Sequence, residues 1–146
     1  MSTTIESYTC RCIVGGKGSG LALTSRASMC FYLCNPETGV VIEKGHPLQN
    51  RSVTGSILAL QSGKGSSVVQ VDGFYQLWKK GTLPSAIILH EAEPVIVSAA
   101  VIVGLPMVDR VERNVFELIH NGDLVEVDAD ATTRSEERRV GKECRS

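Results

Sequence analysis

Apolar residues fall in two rhythms along this chain. The segments 56–60, apolar after Ser56, and 86–89 have the length and apolar content of strands buried on both faces. Between them Val68, Val71, Tyr75 and Trp78, flanked by Phe74, recur at helical spacing, and Gly81 follows two lysines as a C-terminal cap. The spacing predicts a helix over Ser67–Lys80 with Tyr75 and Trp78 on its core face, an aromatic ligand platform being the rival use of those rings. Glu93-Pro94 opens a second helix to about Val103, with proline at a tolerated first-turn position, although its β-branched content also suits a strand. A strand at Met107-Val108, a short helix over residues 116–120 before Asn121-Gly122, and a last strand over 124–127 complete this half.

The first half reads as β-structure cut by turns. Residues 8–14 form a strand, the glycine-rich stretch 15–20 a loop, and residues 21–24 resume an extended run. Asn35-Pro36-Glu37-Thr38-Gly39 is a turn before a strand at 40–42, and Pro47 holds His46 extended. Strands alternating with helices after a β-rich start predict an α/β domain with a barrel-like or layered mixed sheet and flanking helices.

Composition narrows the possibilities. The 146 residues, 42% hydrophobic, suit one domain with a modest core, placed at residues 1–130. Residues 134–146 break from the pattern with eight charged side chains and no apolar period. They read as a non-native, adapter-derived tail set apart from the fold, a solvated charged tail being the alternative. Removing the tail's five basic and three acidic residues from 15 and 16 leaves 10 and 13, a formal charge of −3. Such a surface implies no nucleic-acid partner. The longest apolar stretch, residues 95–103, falls short of the roughly 18 to 20 a membrane span needs, and no basic start precedes an apolar run, so a cytoplasmic protein without a membrane partner is expected. Cys10, Cys12, Cys30 and Cys34 lack the spacing of common zinc knuckles and read as small buried thiols, with a four-cysteine metal site as the alternative.

The chemistry concentrates at Gly63-Lys64-Gly65-Ser66-Ser67, between a strand and a helix. Glycines permit a sharp turn and close approach, and a helix start offers unpaired amides and the positive end of a dipole to an anion. Ser67 with Gln70 has the form of a capping box, which leaves Ser66 free for chemistry. His46, His90 and His120 are candidate acid–base groups, each with a structural explanation in a turn, at a strand end or at a helix end. Glu91 and Glu93 suit either paired carboxylates or the acidic start of a helix.

Six segments in order and register carry a family resemblance: residues 18–23, 35–39, 46–48, 63–67, 84–88 and 91–94. Together they resemble the aconitase X small, or swivel, subunit over most of residues 12–127. The resemblance implies a swivelling β/β/α domain docked on a separate large subunit that carries an iron–sulfur cluster, with no cluster ligand from this chain. It implies a hydro-lyase whose substrate is a small anionic hydroxy acid, either 5-phosphomevalonate or cis-3-hydroxy-L-proline. Ser66 maps onto the base, with Gly63, Lys64, Gly65 and Ser67 about the substrate. The cluster iron is expected to act as a Lewis acid on the leaving oxygen, while amides at the helix start and Lys64 would stabilise the serine alkoxide. Residues 29–34 replace the family's usual Ser-Phe and Gly-Gly pairs, Asn35 its aspartate, and Val68 stands where aconitases proper carry an arginine. A non-catalytic anion-binding or scaffolding module of the same fold is the reading from a different class.

Overall fold

The computed structural model describes the backbone of residues 3–129 and 139–145 and the side chains of residues 7–129. Among the described residues one mixed sheet contains β1 (Thr3–Thr9), β2 (Arg11–Val14), β3 (Gly16–Ser25), β4 (Ile57–Leu60), β5 (Ala86–Leu89), β6 (Met107–Asp109), β7 (Leu124–Ala129) and β8 (Arg139–Arg145), in the order β1-β8-β7-β3-β4-β5-β6-β2. Strands β3 to β6 run parallel, joined through the helices α1 (Ser67–Lys80) and α2 (Pro94–Val103). Strand β2 closes one side antiparallel to β6, and a short helix α3 (Val115–Leu118) precedes β7.

The glycine-rich stretch expected as a loop is the first half of β3. Gly16 to Leu21 pair with β7, and Ala22 to Ser25 pair with β4, so one strand serves two ladders and the sheet curls across it. Glycine is needed where another backbone presses close. A Cβ on Gly18 would meet the Ser85 carbonyl oxygen at 2.4 Å, and one on Gly20 the Gly55 carbonyl oxygen at 2.3 Å. The predicted strand at 40–42 is reduced to single bridges from Val40 to Ser52 and from Val41 to Cys34 and Gln49. Residues 139–145, set outside the domain on their charge pattern, run as β8 between β1 and β7. Ladder bonds come from the main chain and require no apolar period. Residues 134–138 and 146 lie outside the described residues.

Alternation in the central strands separates two cores. Leu58, Leu60, Ile87 and Leu89 face α1, α2 and the segment around Phe31, whereas Ile57, Ala59, Ala86 and Ile88 face β7 and α3. All eight side chains are buried, and the layers are β, β and α. Both long helices end as expected, on left-handed Gly81 and Gly104.

The core face of α1 is not the one that its aromatic spacing predicted. Gln70, Gly73, Phe74 and Leu77 are buried, while Val68 is 77%, Tyr75 44% and Trp78 54% exposed. The choice is made by a 3₁₀ turn, Phe31–Leu33, which packs on the helix with the Phe31 and Phe74 ring centroids 4.3 Å apart. A Cβ on Gly73 would meet Tyr32 N at 2.3 Å, so the glycine that weakens the helix locally permits this contact. It also supplies the close approach that residues 29–34 lack on their own side.

Candidate functional site

Beyond the buried end of β4 the chain passes Gln61 and Ser62 and turns through Gly63 to Ser67 before α1 begins. The turn is fastened to a distant segment. Met29 N donates to Ser62 O and Lys64 N to Met29 O, both at 3.2 Å. The buried Gln70 side chain completes the attachment: its Oε1 accepts from Phe31 N at 2.8 Å, and its Nε2 donates to Met29 O at 3.1 Å and Lys64 O at 3.3 Å. Gln70 is therefore a brace under the loop and not half of a capping box. Both glycines are required: a Cβ on Gly63 would meet Ile96 Cβ at 2.6 Å, and Gly65 adopts φ +102° with a Cβ position 3.1 Å from Cys30 Sγ. Ser62 Oγ is buried without a hydrogen-bond partner among the described residues.

Ser66, not Ser67, is the N-cap of α1. Its Oγ accepts from Val69 N at 3.4 Å and its carbonyl from Gln70 N at 2.9 Å. Lys64, Gly65, Ser66 and Ser67 are exposed, and Gly63 is half-buried. The amides of Ser67 and Val68 make no hydrogen bond among the described residues, as expected for a helix start. The loop thus presents one hydroxyl and two free amides at the positive end of a 14-residue helix. That arrangement can hold an oxyanion or favour a negative charge on the serine oxygen.

The structure gathers all five predicted loop residues and leaves most other candidates outside the site. Lys64 Nζ is held by Glu43, an acid the sequence reading did not single out because it lies 21 residues earlier in an irregular segment. The lysine is an ion-pair partner rather than a free cation beside Ser66. His46 is buried; Leu48 N donates to its Nδ1 at 3.0 Å, so Nε2 carries the hydrogen and faces Ser28 O at 3.2 Å. Glu93 spends its carboxylate capping α2, accepting from Val95 N and Ile96 N at 3.1 and 2.6 Å. Glu91 is exposed at the end of β5, and His120 is exposed beyond α3, 3.8 Å from Asp123.

The four described thiols do not gather as an iron–sulfur cluster would require. Cys10, Cys30 and Cys34 are buried and Cys12 half-buried, and among the described residues no three Cys, His, Asp or Glu side chains gather as a metal would require. Burial, reinforced by Cys30 and Glu43, pushes the Cys34 thiol up to about 12, away from the thiolate a metal binds. No helix among the described residues is long and apolar enough to cross a membrane.

Known proteins resemble this chain in sequence and fold. The family model of the aconitase X swivel domain matches residues 7–135. The phosphomevalonate dehydratase small subunit of Methanocella arvoryzae is 46% identical over 120 residues, which is 82% of this chain and 90% of that protein. Its counterpart in Methanothermobacter thermautotrophicus is 43% identical over 122 residues, 83% of this chain and 92% of that one. The crystal structure of Thermococcus kodakaraensis aconitase X in its holo-form superposes with a TM-score of 0.81 at 36% identity, covering 94% of this chain and 98% of that chain.

Proposed function

This chain belongs to the aconitase X swivel-domain family, and from that premise we propose that it is the small subunit of a hydro-lyase that dehydrates 5-phosphomevalonate when joined to a large subunit. The observation that carries the reading is Ser66, an exposed hydroxyl fixed at the start of α1 by a loop that only glycine can build. The relatives named for phosphomevalonate favour that substrate over cis-3-hydroxy-L-proline.

In this proposal the proton on the carbon beside the carboxylate passes to Ser66 Oγ, and the hydroxyl leaves the next carbon toward the large subunit. The amide that caps the helix through Ser66 Oγ also favours charge on that oxygen. A helix dipole contributes at most about 2 kcal/mol, too little to ionise an alcohol near neutral pH. Removal from water alone would oppose ionisation, so the rest is assigned to hydrogen-bond donors or cations that the large subunit brings against Ser66 in a water-poor interface, which makes assembly a condition for turnover. Gly63, Gly65 and Ser67 place backbone amides and a second hydroxyl beside the substrate, and Lys64 orients Glu43 at the rim. In this proposal the iron–sulfur cluster sits on the large subunit; among the described residues of this chain no three Cys, His, Asp or Glu side chains gather as its ligands.

The test separates capping from catalysis. Ser66→Asn keeps an N-cap side chain and Ser66→Ala removes it; in the assembled complex both are expected to lower kcat by at least about a thousandfold, with assembly intact. Turnover within tenfold of the parent in either variant would remove Ser66 from the base role.

A further inference from the structure

The geometry points to a second site on the same edge of the sheet, a pocket for a phosphate monoester held by Arg110 and Arg113. Strands β3 to β6 are parallel, so their carboxyl ends emerge together, where open α/β sheets take their ligands. Beyond β5 and β6 lies a cavity of about 350 Å³, lined by Leu89, His90, Arg110, Glu112, Arg113 and Asn114. Neighbouring strands are about 4.8 Å apart, so the end of β6 stands on the order of 10 Å from the end of β4, which feeds the Ser66 loop.

Charge accounting sets this pocket apart from an ordinary solvated rim. The acids nearest the two arginines in sequence are engaged elsewhere. Asp109, its side chain 4% exposed, takes both hydrogen bonds of the Arg11 fork at 2.8 and 2.6 Å, and Glu112 Oε1 accepts from Thr9 N at 2.8 Å. No carboxylate pairs with Arg110 or Arg113 among the described residues. Arg110 is held at φ +49°, a left-handed turn that starts the pocket's outer wall. His90 lies with its ring centroid 5.7 Å from Phe116, and the Arg26 guanidinium sits 5.2 Å from the centroid of that same ring, adding a third cation near the pocket with no carboxylate partner among the described residues. Guanidinium groups match phosphate oxygens two at a time, which makes arginine the suitable donor for a dianionic ester.

The inference rests on the proposed dehydration in one respect only, the assignment of the phosphate to the substrate; the pocket itself is argued from its own arginines. The full chain is titrated with inorganic phosphate at constant ionic strength and followed by arginine Nε–Hε NMR. Saturable shifts are expected at Arg110 and Arg113, absent in Arg110→Gln and Arg113→Gln. In the assembled complex each variant is expected to raise KM for 5-phosphomevalonate about tenfold, with kcat within twofold, as the loss of one charge-assisted contact predicts. A raised KM supports the site whether or not the free chain binds phosphate. Saturable shifts with KM unchanged also support it, and identify a separate phosphate ligand as the source. Loss of large-subunit assembly in either variant, a kcat loss without a KM change, or neither shifts nor a KM change overturns it. The titration needs no turnover, so failure of the dehydration reading leaves this result legible.

Discussion

Gln70 concentrates more structural work than any other polar side chain near the loop. It is wholly buried, yet every hydrogen bond drawn from its side chain ends on backbone outside α1: Phe31 N, Met29 O and Lys64 O. Leucine has nearly the same volume and would leave Phe31 N without its acceptor in a dry environment. A buried donor so stranded costs about 1–3 kcal/mol, and the two carbonyls lose part of their pairing as well. Gln70→Leu is therefore expected to lower stability by about 3 kcal/mol in urea unfolding and to loosen the loop that carries Ser66. A loss below about 0.5 kcal/mol would remove the brace. The serine was legible in the sequence because its signal is local, a glycine-flanked pair at a strand–helix junction. Gln70's role and Glu43's were not, because their partners lie about 20 to 40 residues away along the chain.

The ends of α1 and α2 were legible while the buried face of α1 was not, and the two outcomes have different physical causes. A helix end is decided within a turn of chain: Glu93 and Pro94 start α2, and Gly81 and Gly104 stop the two helices. A helix face is decided by what packs on it. Two apolar stripes compete along α1, and Gly73 settles the contest by letting the Phe31–Leu33 turn lie directly against the helix axis. Similarly, the glycines of β3 read locally as a loop, although Gly18 and Gly20 serve close approaches to Ser85 and Gly55. Helix propensity alone predicts that Gly73→Ala gains about 1 kcal/mol. The structure predicts the reverse sign, because the new Cβ would meet Tyr32 N at 2.3 Å and Phe31 C at 2.4 Å, and backbone atoms yield little. Overpacking of this kind costs about 1–3 kcal/mol, so after the propensity gain a net loss of roughly 1 kcal/mol is expected in thermal or urea unfolding. A stabilised variant would mean that the turn does not seat on α1.

At the scale of the whole molecule, two cores share one sheet, and their membership says which parts of the chain the fold requires. Both clusters, with their partly buried neighbours, are built from residues between Tyr8 and Ala129, and the family match ends at residue 135. Strand β8 lies beyond that limit, yet it forms the ladder that joins β1 to β7. Among the described strands β1 pairs with β8 alone, so β8 ties the amino-terminal strand to the sheet. A chain ending at residue 133 should therefore keep its cooperative unfolding, with the slope on denaturant little changed because the surface buried by the two cores is retained. Amide exchange should quicken at residues 3–7 and stop rising at Tyr8, whose side chain packs on the second cluster. The α1 loop lies across the sheet from this edge, so phosphate binding at Arg110 and Arg113 and turnover in the complex should persist. If truncation instead abolishes cooperative unfolding, β8 is an integral strand of the fold, and the domain extends past the boundary read from its charge pattern.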